Sequence, residues 1–303
     1  VKKFPHFLAS SFLCLGGCAS IRPHSETLPR QFLAAPTLCE TLGSHNATLA
    51  HILRQTGFES CQALEIEITT VRKLDLSQRP QLDVALLEQF SNLEELDISS
   101  CQLQNIDFIS RLKKLKVLSA SHNSIERLPH QLSHSLTQLD LASNRISEVQ
   151  DLSILSKLEH IDFSFNPIKR IAPLCSLQNL RGLGLEATGL QSLEQFSCLI
   201  NLQEFWISGN KIKSLSHLQN MTNLRLLEIR GNHVSDLEPL RNMKHLQRLL
   251  AGHNDIADVS PLAELKELRE IGLEWNRIQD FSPLQKLPGA PAINRFGNPK
   301  KSL

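Results

Sequence analysis

LQEFWISGNKIKSLSHLQNMTN, residues 202–223, is followed at once by LRLLEIRGNHVSDLEPLRNMKH, residues 224–245. The two stretches align without a gap. Leu202 falls on Leu224, Phe205 on Leu227, Ile207 on Ile229, Asn210 on Asn232, and Met221 on Met243. Working outward in the same frame, a new unit starts at Val71, Leu93, Leu115, Leu136, Leu158, Leu180, Leu202, Leu224, Leu246 and Leu268, every 22 residues and once after 21. Positions one, four and six are apolar in all ten units, as in Leu74/Leu76, Leu96/Ile98 and Ile271/Leu273. Position nine is asparagine in seven of them, with Arg79, Cys101 and Thr188 in the others.

Each position has a physical reading. Alternation in L-x-L makes a short strand with every second side chain inward, and copies stack in parallel about 4.8 Å apart. The position-nine asparagine sits where the strand turns away. Its amide both donates and accepts, so pointing inward it satisfies backbone groups that the turn leaves unpaired. Further apolar residues close the other side of each coil, which is expected to hold short helical turns or extended segments. These features resemble the leucine-rich repeat pattern. Pro173-Leu174, Pro239-Leu240, Pro261-Leu262 and Pro283-Leu284, with the I-x-D-(L/V/F)-x-P-L run of Ile256 to Leu262, resemble the 22-residue class of bacterial internalins and of a eukaryotic phosphatase regulator. The resemblance covers about residues 71–290 and implies an α/β solenoid with a parallel sheet on its concave face. Its implication for function is coarse, because this scaffold serves many unrelated partners.

Open ends of such a stack invite pairing with other chains. Residues 37–70 are expected to cap the first end: Ser44-His45-Asn46 starts a helix with Leu49, Ile52 and Leu53 on one face and Gly57 at its end, and Leu64 to Ile68 alternates like a cap strand. The repeats occupy 71–289. Residues 290–303 form the C-terminal cap and tail, where the frame puts Ala290, Ile293, Arg295 and Asn298 in turn, so that a charge replaces an inward apolar residue before Pro299.

The N-terminus reads differently. Lys2 and Lys3 precede an apolar run, Phe4 to Leu15, too short to span a bilayer. Leu15-Gly16-Gly17-Cys18 resembles the lipobox of bacterial lipoprotein signals. The resemblance implies cleavage after residue 17, acylation of Cys18 as palmitate-type lipid, and, from Ala19, sorting to the outer membrane of the cell envelope. Three acyl chains at about 0.8 kcal/mol per buried methylene hold a protein essentially irreversibly. Residues 18–36, with three prolines and no sustained periodicity, read as a tether.

In such an oxidising compartment disulfides are permitted. Cys39 and Cys61 bracket the capping helix and are candidates for a bridge; Cys175 and Cys198 fall at positions eighteen and nineteen of adjacent coils, where they either pair or stand as two surface thiols. Cys101, in an asparagine slot, is expected to be a buried free thiol. No cysteine spacing suggests zinc, and His122 and His253, six repeats apart, lie about 29 Å from one another at strand spacing. No metal and no cofactor is expected beyond the lipid on Cys18.

Composition narrows the function further. The chain of 303 residues has 41% hydrophobic side chains, 32 basic against 31 acidic groups, and a formal charge of +1. That excludes disorder, and no global field points to nucleic acid. Position five faces outward on the strand side, and there Asp75, Asp97, Asp140 and Asp162 line up. Asp75 and Asp97 would stand at about the carboxylate separation of a retaining glycosidase. An exposed polar strand explains them better, since nothing in the sequence buries either partner or raises its pKa. No phosphate-cradling loop or nucleophile elbow occurs, so the chain does not read as an enzyme.

Toward the second half of the same face, apolar groups replace the carboxylates. Phe165 and Trp275 at position eight, Trp206 and Leu250 at position five, and Leu226 at position three are expected to point outward, with Gly182 and Gly184 leaving a hollow beside Trp206. Arg230 and Arg248 lie within the patch, and Glu204, Glu228, Glu270 and Glu274 surround it. Exposed tryptophan and arginine are interface anchors. The sequence therefore points to a membrane-anchored module that binds a protein or peptide on its concave face. The alternative is an envelope spacer whose arc braces other components without a concave ligand.

Overall fold

The computed structural model describes Cys39 and residues 46–150, 152–172 and 174–299, all within one compact unit. The lipobox, Cys18 and the 18–36 tether lie outside the described residues. Each coil contributes one three-residue strand to an 11-stranded parallel sheet: β1 Lys73–Asp75, β2 Glu95–Asp97, β3 Val117–Ser119, β4 Gln138–Asp140, β6 His160–Asp162, β8 Gly182–Gly184, β9 Glu204–Trp206, β10 Leu226–Glu228, β11 Arg248–Leu250, β12 Glu270–Gly272 and β13 Ala292–Asn294. Register is strict. Position five runs Asp75, Asp97, Ser119, Asp140, Asp162, Gly184, Trp206, Glu228, Leu250, Gly272 and Asn294 across neighbouring strands. β13 continues the ladder beyond the tenth repeat, as the frame at Ala290 expects, and Arg295 is exposed.

The asparagines tie coil to coil. Asn232 Oδ1 accepts the Ile212 N–H at 2.9 Å from the preceding coil, while its Nδ2 donates to Ile207 O of that coil and to Ile229 O of its own, both at 3.0 Å. The same pattern recurs at Asn144, Asn166, Asn254 and Asn276. Leaving such buried groups unmatched costs about 1–3 kcal/mol each. Thr188 breaks the pattern. Its hydroxyl donates to Leu185 O within its own coil, and the Ile168 N–H of the preceding coil bonds to Asn166 O at 2.9 Å instead. At this same junction Cys175 and Cys198 form a disulfide, Cα–Cα 5.5 Å, that links the two coils from the other side.

Opposite the sheet, 3-10 turns such as Glu238–Leu240 and Ser260–Leu262 alternate with extended segments, and β5 Glu148–Val149 pairs with β7 Arg170–Ile171. The I-x-D-x-x-P-L motif now has a cause. The aspartate accepts the N–H two residues on, as Asp258 does from Ser260 at 2.8 Å, and proline follows where the turn needs no donor.

At the first end α1, Ala47–Thr56, is capped by Asn46, whose side chain accepts from Leu49 N, and ends at Gly57 in the left-handed region. It covers the edge of β1 with a side chain that imitates a strand: the Gln55 amide donates to Asp75 O at 2.7 Å and accepts from Asp75 N at 3.2 Å. Cys39 and Cys61 are joined by a disulfide, Cα–Cα 5.7 Å. The expected cap strand at Leu64 to Ile68 is instead α2, Cys61–Glu67, followed by a 3-10 turn at Ile68–Thr70. Ser60 caps the helix by accepting from Ala63 N; only Leu64 is buried, and Ile66 is 81% exposed, so the alternation never faced a core. A third short helix, α3, spans Val84–Leu87. Among the described residues no helix is long and apolar enough to cross a membrane.

Candidate functional site: the strand face and its aromatic ridge

Position eight has a property that its residue types conceal. All eleven coils place it at positive φ, from 50° at Ala187 to 74° at Gly297. Glycine fills it at Gly209, Gly231 and Gly297, and those glycines are the sequence signal that could have revealed the turn. A side chain there costs about 1–2 kcal/mol of backbone strain. Phe165 and Trp275, at φ 58° and 56°, are therefore large rings set on the least accommodating backbone position of the coil.

Both stay in the open, 54% and 51% exposed. Trp275 lies flat over Gly297, where an added Cβ would stand 2.5 Å from the indole. His253 stacks on it at a centroid distance of 6.0 Å and 20°, and Phe296, itself 69% exposed, meets it edge-on at 5.4 Å and 81°. The result is a preorganised ridge at the end of the last coils. Phe296 was not among the sequence candidates, because the frame ended its repeats at 289.

The rest of the expected patch needs correction. Trp206 and Leu250 are on the strand face but only 3% exposed, and Leu226 is partly buried. The hollow at Gly182 and Gly184 is filled: a Cβ at these positions would stand 2.4 Å from His160 Cδ2 and 2.3 Å from Asp162 Oδ1, so side chains of β6 lean across β8. A similar overlap explains Leu250. Gly272 lets the Leu250 methyl and the Arg230 guanidinium approach to 3.3 and 3.4 Å of where its Cβ would be.

The arginines are engaged within the chain. Arg230 Nε lies 3.2 Å from Glu274 Oε1, across the intervening coil, with Glu228 at 3.5 Å; Arg248 Nε lies 2.7 Å from Glu270. Gly252 makes the long pair possible, since a Cβ there would stand 2.4 Å from the Glu274 carboxylate. Arg230, Leu250, Glu270, Gly272 and Asn294 line a shallow open groove of about 360 Å³ with Ile271, Ala292 and Ile293.

In the other half of the face the aspartates hold their register. Each turns Oδ1 back to the N–H two residues on: Asp97 to Ser99 at 2.8 Å, Asp140 to Ala142 at 2.9 Å, Asp162 to Ser164 at 2.7 Å. Further along the row, burial pushes Asp140 up to about 6, with Asp162 and Asp97 adding repulsion against the Ala142 and Ser121 hydrogen bonds. Asp162 is buried and Asp75 exposed. Cys101 is a buried free thiol that donates to Leu76 O, and burial raises its pKa. Among the described residues no cluster of His, Cys, Asp or Glu could hold a metal.

A parallel stack of short strands, an asparagine on each turn and apolar spokes inward define a solenoid of leucine-rich repeats. The leucine-rich repeat (2 copies) family model matches residues 91–131, 134–176 and 200–242. Internalin C2 of Listeria monocytogenes is 30% identical, with a TM-score of 0.52 over 70% of this chain and 84% of that one. The chain belongs to the leucine-rich repeat family. Internalin InlF of the same organism is 25% identical, with a TM-score of 0.68 over 84% of this chain and 82% of that one. A leucine-rich repeat protein of Leptospira interrogans, 19% identical with a TM-score of 0.70 over 81% and 71% of the two chains, shares the fold. No curated protein sequence matches the chain.

Proposed function

We propose that this chain is a lipid-anchored binding protein of the bacterial outer membrane, with 22-residue internalin-like repeats, that engages a protein or peptide through the strand face of those repeats. The observation that carries this reading is the Trp275 ridge. An indole half exposed, on a strained backbone position and seated over Gly297, does nothing for the core. Fully burying a tryptophan is worth about 4–6 kcal/mol gross at 25 cal/mol per Å², so a partner that covers the exposed half of Trp275 gains about 2–3 kcal/mol gross. Rigid aromatic anchors beside paired charges are how interfaces concentrate affinity. The anchor rests on Lys2, Lys3, the apolar run and Cys18.

Two experiments test it. Immobilised protein should capture a partner from cell extract, and Trp275→Ala with Phe296→Ala should lower that partner's affinity about tenfold or more; unchanged affinity refutes the surface. Labelled palmitate should enter the native chain and not Cys18→Ser; label in neither refutes the anchor.

A further inference from the structure

Formal charge is distributed over this molecule in a way its near-neutral total hides. Positions three, five and seven of the eleven coils, which make the strand face, carry ten carboxylates and three cations, Lys73, Arg230 and Arg248. That is −7 on one face of a chain whose total is +1, so the rest of the sequence carries +8. A field of this kind selects partners by sign before any contact forms.

The three cations are already engaged. Lys73 pairs with Glu95 at 2.6 Å, Arg248 with Glu270 at 2.7 Å, and Arg230 with Glu274 and Glu228. None of them serves Asp97, Asp140 or Asp162. Each of these carboxylates accepts a backbone N–H through Oδ1; Asp140 takes a further hydrogen bond from Ser121 and Asp162 is buried, while Asp97 and Asp140 keep part of their surface open. Asp140 and Asp162 are register partners on strands about 4.8 Å apart. Burial first, and then repulsion from Asp162 and Asp97, raises the pKa of Asp140. At the other end, the exposed faces of Trp275 and Phe296 offer cation–π sites of the same selectivity.

We propose that the strand face takes an arginine-rich extended segment of a partner protein, drawn by the net negative charge of that face and lying along its Asp75, Asp97 and Asp140 half, with its far end reaching the Trp275 ridge. The proposal rests on the strand face being the binding surface and adds the chemistry of what binds there. It excludes nucleic acid, whose phosphates the face repels.

Fluorescein-labelled deca-arginine and deca-glutamate, titrated with the full chain and read by anisotropy, test it. Deca-arginine should bind and weaken steeply with salt, and deca-glutamate should not bind. Asp97→Asn with Asp140→Asn and Asp162→Asn keeps the Oδ1 acceptors and hence the fold, and should weaken deca-arginine about tenfold or more. Glu126→Gln with Glu194→Gln and Glu264→Gln, which removes the same charge from exposed sites off the strand face, should leave it unchanged. Equal binding by the aspartate variant, or an equal loss in the control, overturns the proposal. Natural-partner capture separates the two levels. If Trp275→Ala with Phe296→Ala abolishes capture and the aspartate variant does not, the surface stands and its cationic ligand is wrong. If neither set alters capture, the surface itself is wrong.

Discussion

The two halves of the strand face are built on one core and differ in what they put above it. From β1 to β6 the outward row is aspartate apart from Ser119, each carboxylate turned back to a backbone N–H of its own turn. From β8 to β13 the row reads Gly184, Trp206, Glu228, Leu250, Gly272 and Asn294, and glycines on this face let neighbours lie across the sheet: Asp162 over Gly184, Glu274 over Gly252, Leu250 and Arg230 beside Gly272. A missing Cβ is therefore a way to couple coils that carboxylates at full height do not have. The halves meet between β6 and β8, where Thr188 interrupts the asparagine ladder and the Cys175–Cys198 bridge spans the gap.

The largest expected effect is at that junction. Removing the bridge with Cys175→Ala and Cys198→Ala releases a loop closed over a sequence separation of 23, and should lower unfolding free energy by about 3.5 kcal/mol in urea titrations under oxidising conditions. Adding Thr188→Asn should restore part of the loss. No loss on removing the bridge would mean that the junction is not the weak point of the stack.

Next in size is a pH effect confined to the aspartate half. Asp140 has a folded pKa of about 6 against an ordinary value of 3.8, so the folded state holds its proton more tightly than the unfolded chain. That contribution to stability is full at low pH and is lost as pH rises through about 6; above it the ionised carboxylate costs about 3 kcal/mol. Asp140→Asn should stabilise by that order at pH 8 and hardly at all at pH 4. Equal shifts at both pH values would contradict the burial of the Asp140 carboxyl.

The shared core gives a smaller, symmetric effect. Asn144→Ala in one half and Asn232→Ala in the other each strand the same backbone groups, and each should cost about 2 kcal/mol by thermal or chemical unfolding. Unequal losses would show that the halves differ below the surface as well. Smallest of all, Gly252→Ala should displace the Glu274 carboxylate and free Arg230 at a cost of about 1 kcal/mol, because the crowded group is the end of a flexible side chain. A calorimetric loss several times larger would mean that the crossing pair is rigid.

Periodicity made the scaffold legible: the strands, the inward spokes, the asparagines and the α1 helix with its Asn46 cap and Gly57 end all follow from spacing and capping chemistry. Leu64 to Ile68 misled because five alternating residues fit a strand equally well, and only the Ser60 cap and the single buried face at Leu64 decide for helix. The site was half legible. Which residues point to the strand face follows from the frame, but exposure depends on neighbours one coil away. Trp206 and Leu250 sink, and Arg230 is drawn to Glu274 over Gly252, through contacts between residues 22 or 44 apart that no local pattern encodes. The charge of the face was countable all along, yet a total of +1 conceals it.

The most direct test of the central claim is hydroxyl-radical footprinting of the chain with and without its captured partner. The account predicts that oxidation of Trp275, Phe296 and Phe165 falls on binding while the exposed Ile66, Ile154 and Ile200, outside the strand-face positions, stays unchanged. Protection of Ile154 and Ile200 with Trp275 still fully oxidised would place recognition on the opposite surface and contradict it.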